Sequence, residues 1–511
     1  MIAKISLYIT LFLCASLRLD AGGHVSGSSD AALPPHSLFG WAVSVQGEFA
    51  AISAPGERDN NLTSAGAVYI YRIHSGNWEF MQRIAPSDPS MMKLFGASIK
   101  IEGHTLIVGA PGDNAKTGAV YTYAYSGESW EAVQKLAPRT PVMFQGFGSN
   151  VDAAQGIVLI SSVASGRNDS ASGSVAIYNP ESIPWKEEAV LTAPIKDVND
   201  LFGSAAAILS SDHILISAPR ADGAVEHSGA VYAFRRIDQD WKLTGSFASP
   251  YARTDGLFGC ALSASSGRVL VGAMQEHVTD MNSGSAYIYS QNSDGQWTVE
   301  SRIVPDTVRN QDYFGTAVSL DGEIAIVGSP KWDINKLRRN GDMGRVAVYA
   351  RSDSGWMHTG SVIPEDGNSD DHFGMAIGMS GNELIVGSRL HDNAASNDGS
   401  AYFYRLGELF PALTEKVIPA SFELSQNFPN PFISSTTIHY DLPERTHVTI
   451  EIFDADGRLI RQLVDQDQEA GHRQVTWNGR NRWFGVAQSG VYVYRITTPN
   501  FTASRKMVFV K

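Results

Sequence analysis

Phe95-Gly96-Ala97-Ser98-Ile99, followed by Ile107-Val108-Gly109-Ala110-Pro111, by Gly118-Ala119-Val120-Tyr121-Thr122-Tyr123 and by Trp130, is the unit from which most of this chain is built. The Phe-Gly pair recurs at Phe39-Gly40, Phe95-Gly96, Phe147-Gly148, Phe202-Gly203, Phe258-Gly259, Phe314-Gly315 and Phe373-Gly374, at intervals of 52 to 59 residues. A period of this size marks a repeat architecture. Each of Trp78, Trp130, Trp185, Trp241, Trp297 and Trp356 stands 17 residues ahead of the next Phe, a constancy that implies fixed geometry.

Within a unit the first segment alternates, as in Ala42-Val43-Ser44-Val45, which is the period of a strand. Small residues (Ala42, Ser98, Asn150, Ala205, Ala261, Ala317, Ala376) recur on one side of it, as a strand crowded near an axis requires. The second segment, such as Leu106-Ile107-Val108, is continuously apolar and expected to be covered on both faces. Tight glycine turns such as Gln46-Gly47 and Glu102-Gly103 join the two. The third segment runs from a glycine to an aromatic (Gly118 to Tyr123), and the fourth starts at the tryptophan and is polar enough for an outer edge. Seven such sheets predict an all-β chain with a seven-bladed β-propeller over residues 38–419. Leu413-Thr414-Glu415-Lys416-Val417-Ile418-Pro419 is expected to supply the outer strand of the seventh blade, with residues 22–37 left as an N-terminal linker.

Composition is globular, with 43% hydrophobic and 18% charged residues and a formal charge of −13, so nucleic acid is not an expected partner. Lys4, the apolar run Ile5 to Leu17 and the small residues after Asp20 predict a signal peptide over residues 1–21, hence export, with no membrane-spanning segment in the mature chain. A lipoprotein reading around Cys14 is disfavoured by the bulky Leu13. Once Cys14 leaves with the signal, Cys260 is the only thiol; its position, held elsewhere by Trp41, Ala97 or Ser149, reads as a tolerant packing site.

Phe-Gly, then Gly-Ala-Pro, then Gly-Ala-Val-Tyr resembles the FG-GAP repeat of integrin-type propellers, with Gly109-Ala110-Pro111 intact and Ser53-Ala54-Pro55, Ser217-Ala218-Pro219 and Gly328-Ser329-Pro330 relaxed. Some members bind calcium between strands one and two, but here those connections are mostly two-residue turns, too short for six or more oxygen ligands. No cofactor is expected. Glu365, Asp366, Asp370, Asp371 and His372, with His391 and Asp392, form an acidic group; Asp370, Asp371, His391 and Asp392 are the candidate cation ligands, and solvated charge is the alternative. The segments between strands two and three, Pro111 to Gly118 and its counterparts, vary most; this face is the candidate binding surface, although loop lengths also drift because insertions there cost little. Nucleophile-elbow, zincin, P-loop and paired-cysteine spacings are absent, so an enzyme is not expected. The tryptophans suit sugar stacking, but their fixed place on outer strands favours packing.

After Pro419 a second pattern begins, with short strands expected at Thr436 to Leu442, Val448 to Asp454, Gln474 to Trp477, Gly490 to Thr497 and Lys506 to Val510, a small Ig-like antiparallel sandwich over residues 420–511. Gln426-Asn427-Phe428-Pro429-Asn430-Pro431-Phe432, Gly457-Arg458, Ser489-Gly490-Val491-Tyr492 and the ending Lys506 to Lys511 resemble the type A C-terminal sorting domain of type IX secretion cargo. That resemblance implies sorting residues Pro429, Asn430, Pro431, Phe432, Gly457, Arg458, Gly490, Tyr492, Lys506 and Lys511, a partnership with the type IX machinery, and a secreted or cell-surface location. The expected function is a binding or adhesion protein with an extracellular protein or glycan ligand; the alternative is a secreted enzyme acting on extracellular polymers from the loop-rich face.

Overall fold

A computed structural model describes residues 22–25, 33–59, 61–163, 172–180, 183–195, 197, 199–278, 281–307, 310–333, 341–352, 354–393, 395–411, 413, 421–427, 430–432, 436–481 and 486–510. The expected signal peptide lies outside them. The chain is all-β. Among the described residues, seven four-stranded antiparallel sheets precede two further sheets near the C-terminus. In blade 2 the strands are Ser98–Glu102, Thr105–Ala110, Ala119–Tyr125 and Trp130–Leu136, with Ser98 opposite Gly109, Thr105 opposite Ala124 and Val120 opposite Leu136. Burial follows the pattern read from sequence: second strands such as Phe49–Ala54 and Ile324–Ser329 are buried throughout, and fourth strands such as Asp240–Phe247 are largely exposed.

Adjacent blades share cores. Ile107, Val120 and Leu136 of blade 2 pack with Phe147, Val151 and Ile160 of blade 3, and Phe39, Val45 and Tyr69 of blade 1 pack with Ile385, Ala401 and Phe403 of blade 7, which closes the ring. The outer tryptophans serve these joints: Trp78 stacks on Phe403, its ring nitrogen donating to Glu383, and Trp130 meets Phe49 edge-on at 5.3 Å.

The Phe-Gly pair is the hinge of each joint. Phe147 N–H donates to Thr117 O of the preceding blade at 2.9 Å, and the same bond recurs around the ring, ending with Phe39 N–H to Asp398 O at 3.0 Å. Gly118 begins the third strand at φ +92°, where an added Cβ would sit 2.1 Å from Phe147 O. Only glycine permits that conformation and that approach.

The fourth strand of blade 7 corrects the sequence reading. It is Gly22–Val25, antiparallel to Ser400–Arg405, with Gly22 opposite Tyr404 and Val25 opposite Ala401. These residues therefore belong to the ring and not to a linker. Downstream of Arg405 the chain makes a single turn (Leu406–Leu409), and Leu406, Leu409 and Leu413 are buried in the core of blades 6 and 7. Their hydrophobicity answers to that core, which leaves the edge of Ser400–Arg405 open to the N-terminal strand; residues 414–419 of the expected strand lie outside the described residues.

The C-terminal domain pairs a three-stranded sheet (Glu423–Leu424, Thr436–Leu442, Gly471–Trp477) with a four-stranded one (Leu459–Gln468, Thr446–Phe453, Gly490–Thr497, Thr502–Phe509). One core containing Tyr440, Trp477, Tyr494 and Phe509 lies in this domain. The strand Leu459–Gln468 was not expected from sequence: Arg461, Gln462, Asp465, Gln466 and Asp467 hide its period, as suits a sheet edge.

Candidate functional site

Two loops of each blade meet on one face of the ring: the connection entering Phe-Gly and the connection between strands two and three. They touch through paired inward positions. The residue two places ahead of Phe-Gly is Ser37, Lys93, Asp200, Asp312 or Asp371 in five blades, all buried. Twenty residues after Ser37, Lys93, Gly256, Asp312 and Asp371 stand Glu57, Asp113, Glu276, Trp332 and His391, also buried. Buried charges need partners, and the blades supply them in more than one way.

Blades 1, 2 and 5 build a clamp of acid, phenol and cation. Tyr69 OH donates to Glu57 at 2.8 Å and Arg83 pairs with the same carboxylate at 2.6 Å. Tyr121 OH donates to Asp113 at 2.7 Å, and Lys135 and Lys93 approach that carboxylate at 2.7 and 3.4 Å. Glu276 accepts from Tyr287, Ser285 and Ser249 and pairs with Arg302 at 3.2 Å. The cations lie directly across the sheet from the tyrosines: Arg83 opposite Tyr69, Lys135 opposite Tyr121, Arg302 opposite Tyr287. Burial pushes the Asp113 carboxyl up, but hydrogen bonds from Lys135 and Tyr121 outweigh it and hold the group below its usual range. Burial, then the neighbouring carboxylates, push the Tyr121 hydroxyl far up. These acids are saturated and fix the loops. Sequence reasoning missed them; the twenty-residue spacing across aligned repeats was the available signal.

In blade 7 the four candidate ligands part into three groups. Asp371 and His391 form a buried pair, with Nδ1 2.8 Å from Oδ2; Asn368 N–H also donates to that carboxylate at 2.6 Å. On the far side of the imidazole, Asp366 lies 3.9 Å from Nε2 and accepts from Tyr402 OH at 2.8 Å. Burial pushes the His391 imidazole down, but its hydrogen bond to Asp371 and the charges of Asp371, Asp366 and Asp398 prevail and raise it above its ordinary value. Asp392 is exposed, and its carboxylate accepts the Asn397 N–H at 2.6 Å. Asp370 is exposed and meets Asp342 and His372, the candidate ligand atoms of the three lying within 4.8 Å of one another. Burial pushes the His372 imidazole below its ordinary value, against the Asp342 carboxylate 3.8 Å from its Nε2. Asp342 comes from blade 6, so no spacing within one repeat could have found it.

A further feature, a cavity of about 440 Å³ partly open to solvent, is lined by the first strands, including Ser44, Lys100, Asp152, Ala207, Ser263 and Ser319. Lys100 and Asp152 pair across it at 2.7 Å. Cys260 also lines it, donates to Gly315 O at 3.3 Å, and is pushed by burial up to about 12, far from a reactive thiolate.

In the C-terminal domain the expected sorting residues fall into two places. Asn430 and Phe432 run along the last strand: Val508 N–H donates to Asn430 Oδ1 at 2.7 Å, Phe432 N–H to Val508 O at 2.9 Å, Val510 N–H to Phe432 O at 2.8 Å, and Gln426 donates to Lys506 O at 2.7 Å. Phe432 is buried against Trp477 and Phe509, and Tyr492, in the strand that Gly490 opens, also meets Trp477, edge-on at 5.1 Å. The segment ending in Pro431-Phe432 thus covers an otherwise open sheet edge. Gly457 and exposed Arg458 form a separate hairpin tip, with Arg458 N–H donating to Asp454 at 2.8 Å. Pro429 and Lys511 lie outside the described residues.

These joints and loops repeat with the same registered glycines, and the comparison with known families follows the same units. Five segments match the FG-GAP repeat. They are residues 29–71, 78–123, 185–234, 297–349 and 356–404. Residues 433–500 match the FlgD Ig-like domain. No curated protein matches the chain in sequence. A similar solved structure is that of PorZ, described as an essential bacterial surface component of the type IX secretion system of Porphyromonas gingivalis; it is 14% identical, with 92% of this chain and 75% of that chain covered, at a TM-score of 0.28. Among the described residues no helix is long and apolar enough to cross a membrane.

Proposed function

We propose that this protein is an exported binding or adhesion module whose propeller presents a ligand surface on its loop face, and whose C-terminal domain addresses it to type IX secretion and so to the cell surface or medium. The observation that carries the binding reading is the contrast between the two sides of each loop. Inward positions are tied into closed networks such as Glu57, Tyr69 and Arg83, while the outward positions of the same loops differ from blade to blade. A rigid scaffold with variable outward positions suits recognition. Carboxylates committed to ion pairs and phenols are poorly placed for acid and base work, which supports binding over catalysis. The delivery reading rests on the sequence from Gln426 to Phe432, the fit of Gln426, Asn430 and Phe432 against the last strand, and the exposed Arg458 and Lys506.

Two measurements test these readings separately. Residues 22–511 applied to panels of extracellular glycans and matrix proteins should give saturable binding without product release; turnover would overturn the first reading. In the source cell, removing residues 421–511 should strand the protein in the periplasm, and unchanged delivery to the outside would overturn the second.

A further inference from the structure

Every blade enters its Phe-Gly pair through a residue, three places ahead, held at positive φ: His36 (61°), Met92 (56°), Phe144 (66°), Asn199 (76°), Asp255 (56°), Gln311 (63°) and Asp370 (68°). All seven are exposed. The backbone is thus a constant around the ring and the side chain the only variable. A left-handed, solvent-facing position favours Asn or Asp and disfavours bulky apolar residues. Five blades place polar residues there.

Blades 2 and 3 depart from this together. Met92 and Phe144 are 51% and 46% exposed, and the residues before them, Met91 and Met143, are 60% and 64% exposed. The loop between strands two and three of blade 2 joins the two pairs: Gly112 N–H donates to Lys93 O, next to Met92, and Gly146 N–H, two residues after Phe144, donates to Lys116 O, each at 3.1 Å. That loop is also left-handed at Asn114, Ala115 and Lys116. Its exposed Lys116 carries the ammonium to 5.4 Å from the centre of the Phe144 ring. One loop therefore holds both apolar pairs on the same face, with a cation beside the aromatic. Other loops of this face expose one large apolar side chain each, at Ile195, Val225, Tyr251 and Met281, whereas Met91-Met92 and Met143-Phe144 are consecutive. Methionines adapt to varied apolar partners, and clustered exposed apolar side chains mark an interaction site.

We propose that this patch docks a protein segment presenting an aliphatic or aromatic side chain beside a carboxylate, the anchor seated on Met91, Met92, Met143 and Phe144 and the carboxylate meeting Lys116. The inference rests on the reading of the loop face as a binding surface and names the partner chemistry. Charge complementarity favours a protein segment over an anionic membrane: the chain carries −13 overall, and Asp255 and Asp370 stand at the equivalent ring positions, so an extended negative surface is repelled while one carboxylate at Lys116 is not.

The test uses a displayed library of random peptides selected against residues 22–511, with Met92→Asn, Phe144→Asn and Lys116→Glu as variants. Asparagine is the residue blade 4 already holds at this position, as Asn199, so the backbone is satisfied and melting temperatures should match the parent. Selected peptides should pair an apolar residue with Asp or Glu, and each variant should weaken them about tenfold or more, as for residues central to an interface. Peptides that bind all three variants like the parent overturn the assignment; if they are instead lost on Asp255→Lys or Asp370→Lys, the loop face still binds, elsewhere. Flotation with phosphatidylglycerol vesicles that Phe144→Asn abolishes overturns the protein-segment reading in favour of a lipid surface. If neither peptides nor the ligand panels yield any saturable binder, both readings fall.

Discussion

Replacing Gly118 by alanine tests whether the blade joints are backbone contacts. At φ +92° an L-residue costs about 1–2 kcal/mol. The new Cβ would lie 2.1 Å from Phe147 O and 2.4 Å from Phe147 N, both backbone atoms, so blade 3 must move away. That movement breaks the 2.9 Å bond from Phe147 N–H to Thr117 O, worth about 1–3 kcal/mol when the groups remain buried. It also shifts Phe147, 1% exposed in the core shared by blades 2 and 3, for about another 1–3 kcal/mol of strained packing. The sum is about 3–8 kcal/mol. The control is Gly103→Ala in the same blade, also at positive φ (+58°) but with open space around the new Cβ, for which only the conformational cost of about 1–2 kcal/mol applies. Urea unfolding followed by tryptophan fluorescence compares the midpoints. Equal losses for the two variants would refute the claim that the repeated glycines exist for close approach between blades.

Three further outcomes follow from the buried groups and the ring closure. Lys93→Met removes a fully buried cation from Asp113 and Tyr121 and should cost about 2–4 kcal/mol, with Lys135 keeping the carboxylate partly paired; a loss under about 0.5 kcal/mol would contradict the network. His391 has a raised pKa in the fold, so its pairing stabilises fully below its unfolded value near 6.5 and less as pH rises through the folded value; the gap between the parent and His391→Gln should be widest in mildly acidic solution and close toward alkaline pH, and the opposite trend in melting temperatures would reverse the assignment. Removing residues 22–25 should speed amide exchange in Ser400–Arg405 while leaving Ser174–Asn179 of blade 3 protected; unchanged exchange at Tyr402 and Tyr404 would show that blade 7 does not need this strand.

What the sequence disclosed and what it hid divide along physical lines. Phe-Gly and the glycine opening each third strand were legible because each joint imposes the same backbone conformation, and one alignment of seven copies exposes it. The closing strand was not: Gly22–Val25 is four residues long, with no period of its own, while Leu413, the first residue of the outer strand expected over residues 413–419, lies in the core with Leu406 and Leu409. The clamp acids Glu57, Asp113 and Glu276 sit in loops that look merely variable, since a tyrosine and a cation from the following two strands complete each clamp. The group of Asp342, Asp370 and His372 joins two blades, beyond the reach of spacing in one repeat. On the C-terminal side, Asn430 and Phe432 were picked out as a motif, but their local task, covering the edge of Thr502–Phe509, needs a strand 70 or more residues away.

The internal repeat supplies its own control for reading function. Where seven equivalent positions hold the same residue, as at Gly66, Gly118 and Gly173 with Phe95, Phe147 and Phe202 across the joint, geometry demands it, and a Cβ would strike the neighbouring backbone. Where the backbone is the same in all seven and the side chains diverge, as from His36 through Met92 and Phe144 to Asp370, the fold asks for nothing beyond tolerance of a left-handed turn. Five blades meet that tolerance with polar residues. Two adjacent blades instead expose methionine and phenylalanine, against both local conformational preference and solvation. A cost carried twice, on neighbouring blades and against the same loop, is the asymmetry a scaffold alone does not produce.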